Sequence, residues 1–543
     1  MKLKLLLAAA ATAAITATAQ DWPQWGGTNH RNMYSPAKGL PSRFETGPMK
    51  KGTEEFDLAK AKNVKWVAKL GTMAYGNVTV SNGRVFIGTN NGVPRDQRHL
   101  GDRSILLCLD EKNASLLWQL VVPKLKAGKV NDWPDLGILS SPTIEGDRLY
   151  VVTSRCEVLC LDVRGMANGN DGPFKDEAKY VVADVVDADG KPVAPIEPGP
   201  KDADIIWRYD MMDELGVFPH NASNCSILIV GDTLYVCTSN GQDWSHVNVP
   251  SPLSPSLIAL DKKTGKLLGE DDAEIGKRLF HGQWSSPSSA VVNGRQLVFF
   301  GGGDGWCYAF DANPAKQGDS AFLKTVWKFD CNPPELKKDP EGKPYSYGKG
   351  GSGPSEIIAT PIFYKNRVYV ATGQDEEHGE GPAVFTCIDA TKTGNITKDG
   401  AVWVFKQFNR SISTASIDPD TGLLFVGDFS GFVYCLDADT GKLYWKHDMK
   451  AHMWGSSLVA DGKVYMGDED GDFVVFAANK GVPIPAKQQK KGGPTVGPQI
   501  ISEVNLGSAI YSSPIVANGV IYVSTQTHLF ALHDSAKASP PKP

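Results

Sequence analysis

The sequence predicts an all-β chain folded as an eight-bladed β-propeller of four-stranded antiparallel blades, closed by an N-terminal strand that completes the last blade. Three observations predict it. A short alternating strand rich in Val, Ile, Leu, Tyr and Phe recurs eight times, opening at Val85, Leu149, Leu234, Leu297, Val368, Leu424, Val464 and Ile521; period-two alternation with β-branched and aromatic residues marks half-buried strands. A turn followed by a tryptophan strand recurs beside it. The last copy lacks that tryptophan strand, while a spare one precedes the first copy.

The sixth copy shows the unit in full. Gly431-Phe432-Val433-Tyr434-Cys435-Leu436-Asp437 is a third strand, Ala438-Asp439-Thr440-Gly441-Lys442 its turn, and Leu443-Tyr444-Trp445 the fourth strand. The spacing to the next copy matches a four-stranded propeller blade of about 40 residues. Trp118, Trp207, Trp327, Trp403 and Trp445 share the fourth-strand position and read as packing between neighbouring blades. The eighth copy stops at Leu529-Phe530-Ala531-Leu532, and Val64-Lys65-Trp66-Val67-Ala68 carries the missing pattern. Joining the two closes the ring and leaves no long sheet edge.

The bulk numbers fit this frame. A chain of 543 residues with 41% hydrophobic and 22% charged residues has ample core, and 56 glycines with 35 prolines supply many turns. A net charge of −5 without a long basic run argues against nucleic acid as a partner. The lysine-rich piece from Lys487 to Lys491 reads as a solvated loop.

Residues 1–19 read as a secretory signal: Lys2 and Lys4, an apolar stretch from Leu5 to Ile15, and Ala17-Thr18-Ala19 before the cleavage point. No later run reaches the roughly 20 apolar residues of a membrane span, and no cysteine follows the cleavage point to carry a lipid anchor. The expectation is an exported, periplasmic or extracellular protein: signal 1–19, an N-terminal extension 20–62, the propeller 63–534 and a tail 535–543. Nine cysteines suit no disulfide framework, being odd in number. Cys108, Cys160, Cys307, Cys387 and Cys435 repeat in one strand slot as small apolar groups. Cys225 and Cys237 flank one hairpin, and whether they are bridged stays open.

Propeller topology sorts the loops onto two faces. The insertions around 163–204, 311–324 and 479–500 fall with the first-to-second and third-to-fourth loops, and read as decoration or partner contact. The opposite face carries long loops near 90–104, 239–256 and 373–382, and eight of the ten histidines: His99, His220, His246, His281, His378, His447, His452 and His528. The candidate ligand-binding residues are His220, Asn221, Asp243, His246, His281, Gln283, Trp284, His378, His452 and Trp454, with Glu376, Glu377, Trp244 and Tyr511 nearby. Loops on a rigid scaffold are where binding groups collect, and a planar ligand stacked on tryptophan suits such a funnel. No pair of these residues has a recognised metal spacing, so no metal is assigned. Asp468-Glu469-Asp470-Gly471-Asp472 reads as a turn rather than a calcium loop.

The Leu-Asp-x-x-Thr-Gly-x-x-x-Trp units resemble the repeats of pyrroloquinoline-quinone (PQQ) dehydrogenases and of the barrel-assembly lipoprotein of bacterial outer membranes. Asp21-Trp22-Pro23-Gln24-Trp25-Gly26-Gly27, His281-Gly282-Gln283-Trp284-Ser285-Ser286-Pro287 and Ala451-His452-Met453-Trp454-Gly455-Ser456 resemble exported PQQ-like propellers of planctomycete-type bacteria. The resemblance covers roughly residues 21 to 533 and implies the propeller fold; fold does not fix function. Two readings follow. The first is a non-catalytic scaffold that binds a protein partner or a small planar ligand on its histidine-rich face. The alternative is a quinoprotein alcohol or sugar dehydrogenase with PQQ and Ca²⁺. In those enzymes PQQ lies between a tryptophan and a disulfide of adjacent cysteines, with Ca²⁺ on carboxylate and amide oxygens and an aspartate as base. Trp284 or Trp454 corresponds to the stacking tryptophan by position. No two cysteines are adjacent here, and the calcium ligands and the base have no matching motif, so the first reading is preferred and no catalytic residue is assigned. Outer-membrane protein assembly is a third analogy, supporting an interaction platform only, because the lipobox is missing. A hydrolytic pair of Asp243 and Glu376 would have to meet across the funnel.

Overall fold

A computed structural model describes residues 20–348, 351–489 and 493–536; the expected signal 1–19, the end of the expected tail from 537 and part of the Lys487–Lys491 run lie outside the described residues. Eight antiparallel sheets of four strands each form the blades, some extended by an extra strand. The inner strands of blades one to eight are Thr79–Ser81, Thr143–Glu145, Leu228–Val230, Ser288–Val292, Ile362–Tyr364, Ser416–Ile417, Leu458–Ala460 and Ile515–Ala517. In blade eight, Val64–Lys69 pairs antiparallel with His528–Leu532, and Trp66 stands opposite Ala531.

The alternating pattern becomes core because each blade buries both faces against its neighbours. The second and third strands are buried almost throughout, for instance Leu423–Gly427 and Phe432–Asp437. The fourth strand is only half covered, and its tryptophan supplies the buried part. A bulge next to the turn shifts the register of the third and fourth strands, as between Cys435 and Leu436; bulges locally increase twist. Six fourth-strand tryptophans then donate their indole N–H to the next blade's backbone: Trp66 to Glu111, Trp118 to Val163, Trp207 to Lys262, Trp327 to Ala390, Trp403 to Ala438 and Trp445 to Asn479, at 2.9–3.2 Å. Blades three and seven have no fourth-strand tryptophan; between blades three and four the Tyr235 hydroxyl donates to Ala312 O, as the Tyr369 hydroxyl of blade five donates to Ala438 O beside Trp403. Truncating such an aromatic costs about 3–5 kcal/mol, and the orphaned carbonyl adds to that. All nine cysteines are buried free thiols, Cys225 and Cys237 included; the Cys237 backbone N–H donates to Cys225 Sγ at 3.1 Å.

The segment 20–35 lies inside the ring and meets every blade. The Gln20, Pro23, Asn29, His30 and Met33 carbonyls accept N–H groups of Asn518, Ile144, Ser289, Phe363 and Val459. Trp22 bridges to Val80, the Asn32 amide bonds both backbone groups of Ile417, and Tyr34–Ser35 pairs in parallel with Leu458–Ala460. Arg31 is fully buried; its guanidinium donates to the carbonyls of Pro287, Trp25, Ser226 and Ile227 and to Gln24 Oε1. Burial pulls its pKa down, and the converging carbonyls compensate the charge. These contacts lie toward the first-to-second turns, so the segment fills that end of the channel. Among the described residues no helix is long and apolar enough to cross a membrane.

Candidate functional site

The other end of the channel is open. The segments leading into all eight inner strands converge on it, and a belt of side chains stitches them together: Ser141 N–H donates to Ser226 Oγ, Ser226 N–H to Ser286 Oγ, Thr360 N–H to Thr414 Oγ1, Thr414 N–H to Ser456 Oγ, Ser456 N–H to Ser513 Oγ and Ser513 N–H to Asn77 Oδ1, at 2.7–3.2 Å. The Ser-Pro and Thr-Pro starts of the strands thus hold neighbouring blades in register around the mouth.

Above this belt is a cavity of about 430 Å³. Trp25, from the segment that fills the far end, belongs to its lining and donates its indole N–H to Thr360 Oγ1 at 3.0 Å. Trp133, Trp284 and Asn221 line it from blades two to four; Tyr75, Trp454 and Tyr511 from blades seven, eight and one. The second group forms a continuous aromatic wall, with Tyr75 stacked on Tyr511 at 4.5 Å and Trp454 edge-on to Tyr511 at 4.8 Å. The charged groups of the lining are Asp375, Glu376 and Glu377, and the lining contains no Lys or Arg. Glu376 sits within the concavity, where burial, reinforced by Asp375 and Glu377, pushes its carboxyl pKa up to about 7.

Behind Trp284 four histidines converge. The His220 and His281 ring centroids are 4.1 Å apart, His246 and His281 5.0 Å, and His281 and His378 5.0 Å. They come from four loops: His220 and His281 precede the inner strands of blades three and four, His246 lies in the second-to-third loop of blade three, and His378 in that of blade five. Close approach is possible because residue 241 is glycine: a Cβ there would lie 2.6 Å from His220 Cβ and 2.9 Å from His281 O. Asn221, Ser239 and His246 all have left-handed backbone, with φ of 57°, 62° and 55°. Such conformations cost of order 1 kcal/mol or more each and cluster at functional sites. Asp375 holds the cluster from below, one oxygen 2.5 Å from His281 Nδ1 and the other on His378 Nδ1. Burial opposes ionisation of Asp375, yet the two imidazoles hold its carboxyl well below the usual range.

Other expected residues lie apart. The Asp243 carboxylate closes its own turn, accepting from Ser245 and from the Asn248 amide. Gln283 is fully buried, with its amide on Ser256 Oγ and Gly303 N–H. Trp284 donates to Ala222 O at 3.1 Å while lining the cavity. His452 stands at the rim, bonded to Glu469 at 3.1 Å and Glu380 at 3.4 Å, and stacked on Phe429. The sequence singled out neither Trp25, Tyr75 and Trp133 of the cavity nor Asp375, Tyr347 and Glu356 of the histidine cluster. Asp375 stands directly before the named Glu376 and could have been found from that proximity; Trp25, remote in sequence from every blade, could not.

The residues present do not fit PQQ. PQQ carries three carboxylates, while the lining offers three acidic side chains and no cation. The ceiling disulfide has no counterpart among nine free cysteines.

The comparisons place the fold. A europium-containing methanol dehydrogenase superposes with a TM-score of 0.57 at 12% identity, over 93% of this chain and 89% of that one. The quinohemoprotein alcohol dehydrogenase ADHIIG of Pseudomonas putida HK5 gives 0.53 at 12%, over 96% and 82%. BamB of Moraxella catarrhalis gives 0.49 at 14%, over 87% and 98%. At these identities the likeness to the two dehydrogenases shows the propeller fold and no more. No curated protein matches the chain. The model of the family described as "Outer membrane protein assembly factor BamB" matches residues 63–328 and 396–494, more than half of the sequence, and the chain belongs to that family.

Proposed function

We propose that this is an exported, non-catalytic binding propeller whose ligand is a small planar molecule, neutral or cationic, seated in the central cavity. The observation that carries this reading is the cavity lining: aromatic side chains on opposite walls, a hydroxyl belt beneath, and carboxylates as the charged groups. A planar π-system gains from stacking on Trp284 or Trp454, and a cation gains further from the ring faces and from Glu376 and Glu377. Export rests on the signal-like segment 1–19. The quinoprotein alternative is disfavoured by the acidic lining.

The test is titration of the mature protein, followed by tryptophan fluorescence and calorimetry, with three planar probes: the permanent cation N-methylacridinium, neutral lumichrome, and PQQ with Ca²⁺. The expected result is saturable binding of the first two, weakened in Trp284→Ala and Trp454→Ala, and none of PQQ. Stoichiometric PQQ binding with dye-linked alcohol oxidation would make the protein a dehydrogenase. Failure of all three probes would remove the ligand reading.

A further inference from the structure

The histidine cluster behind Trp284 has a feature that neither the cavity nor the fold requires. His220 Nδ1 lies 2.6 Å from the Gln242 carbonyl. A carbonyl only accepts, so this nitrogen carries the proton and Nε2 is left as a bare lone pair. That Nε2 is fully buried and has no protein partner. His281 Nδ1 lies against an Asp375 carboxylate oxygen at 2.5 Å as an ion-pair contact, and its Nε2 is turned to the cluster. That Nε2 lies 3.1 Å from His246 Nδ1. One ligand atom from each of His220, His246 and His281 lies within 4.8 Å of the others. The unpartnered lone pair of His220, its tautomer fixed from behind by a carbonyl, is therefore gathered with nitrogens of His246 and His281.

We propose that His220, His246 and His281 form a binding site for a divalent transition-metal cation of zinc type. Two nitrogens on one tetrahedral zinc, each about 2.05 Å from it, sit about 3.3 Å apart, close to the His246–His281 separation. Three imidazoles leave the fourth position to water or a ligand group, the arrangement of open zinc sites. Asp375 acts from behind His281 as the orienting carboxylate that metal-bound histidines commonly have.

Charge balance favours the same conclusion. Glu356 is fully buried, with Oε1 accepting from Tyr347 at 2.9 Å and Oε2 from Gly282 N–H at 3.3 Å. Its pKa is pushed up by burial and then by Asp375, so the two carboxylates share one low-dielectric region. The nearby Arg410 guanidinium donates to the backbone carbonyls of His378, Gly379, Glu380 and Ser352. A divalent cation here would offset the Asp375 carboxylate beside His281.

The site is separate from the cavity reading, and its test uses no organic ligand. Tag-free mature protein is stripped with chelator, then titrated with Zn²⁺ against a chromophoric competitor and, separately, with Co²⁺. The expected results are uptake of one equivalent and the intense visible absorption of four-coordinate Co²⁺. His246→Ala, on the solvent side of the cluster, should abolish both while leaving the chelator-treated melting temperature unchanged. Asp375→Asn should weaken Zn²⁺ about 10–100-fold. Absence of stoichiometric uptake by the unmodified protein, or uptake that persists in His246→Ala, would overturn the assignment. Should Asp375→Asn fail to fold, the His246→Ala comparison decides alone.

Discussion

The two ends of the central channel are built from opposite materials. At one end, segment 20–35 satisfies backbone groups with backbone groups, blade by blade, and Arg31 spends its donors on converging carbonyls. At the other end, the walls are aromatic rings and carboxylates, and His220 Nε2, Asn221 Oδ1, Gln242 Oε1 and Gln374 Oε1 are among the buried polar atoms without a protein partner. Buried polar groups are ordinarily hydrogen-bonded, and the His220 exception stands where three imidazoles meet. The filled end holds the ring together, and the open end holds the chemistry.

The largest effect should come from breaking the filled end. Arg31→Ala removes the guanidinium and leaves the carbonyls of Pro287, Trp25, Ser226 and Ile227 without it. Loss of about 3 kcal/mol or more is expected, read as a lowered urea midpoint, with Arg31→Lys between the two. A change below about 0.5 kcal/mol, the ordinary size for a surface substitution, would mean that the segment is a passenger in the channel.

At the open end the same logic predicts binding effects. Trp284→Ala and Trp454→Ala each remove one stacking surface from the cavity, and each should weaken N-methylacridinium by about 1–2 kcal/mol, roughly tenfold. If only one of them matters, the ligand stacks on one wall and the contrast between histidine wall and aromatic wall becomes a contrast in affinity.

How much of this division could be read from the chain follows from what each part is made of. The blades repeat, so eight copies of one strand pattern, the Trp turns and the spare strand at Val64 announced the ring. Blade tryptophans were legible because their role is the same six times over. The channel segment does not repeat: Trp22, Trp25 and Arg31 carry no periodicity, and their partners are hundreds of residues away, as Arg31 is from Pro287. The sequence placed His220, His246, His281 and His378 on one face, since topology alone assigns loops to faces. It could not show that these four touch while His452 stands apart, because that depends on Gly241 and on how four loops lean inward. Metal-ligand spacing was absent from the sequence for the same reason: the three nitrogens come from separate loops.

A smaller effect concerns pH. Glu376 has its folded pKa raised to about 7, above its unfolded value, so its contribution to stability is full at low pH and is lost as pH rises through about 7. Binding of a cation runs the other way, since only the ionised carboxylate attracts it. The affinity for N-methylacridinium should therefore rise between about pH 6 and pH 8, by up to about tenfold for a carboxylate at close range, and the rise should flatten in Glu376→Gln. A rise that survives in Glu376→Gln would transfer the titration to another group.

The smallest effect tests where the open end stops. Asp243 was attractive in the sequence as an acidic residue in a long loop of the histidine face, but its carboxylate is taken up by Ser245 and Asn248 in its own turn. Removing it loosens that turn without exposing or uncovering anything in the cavity, whose lining does not include it. Asp243→Ala should cost no more than about 1 kcal/mol in the urea midpoint and leave N-methylacridinium affinity within twofold. The turn carries His246 three residues on, and His246 holds a left-handed backbone. Asp243→Ala should for that reason weaken Zn²⁺ more than it weakens the planar probe. Equal losses of both would show that the loop near 239–256 moves as one piece over the whole open end, and would merge what the hydrogen bonds divide into a cavity and a histidine site.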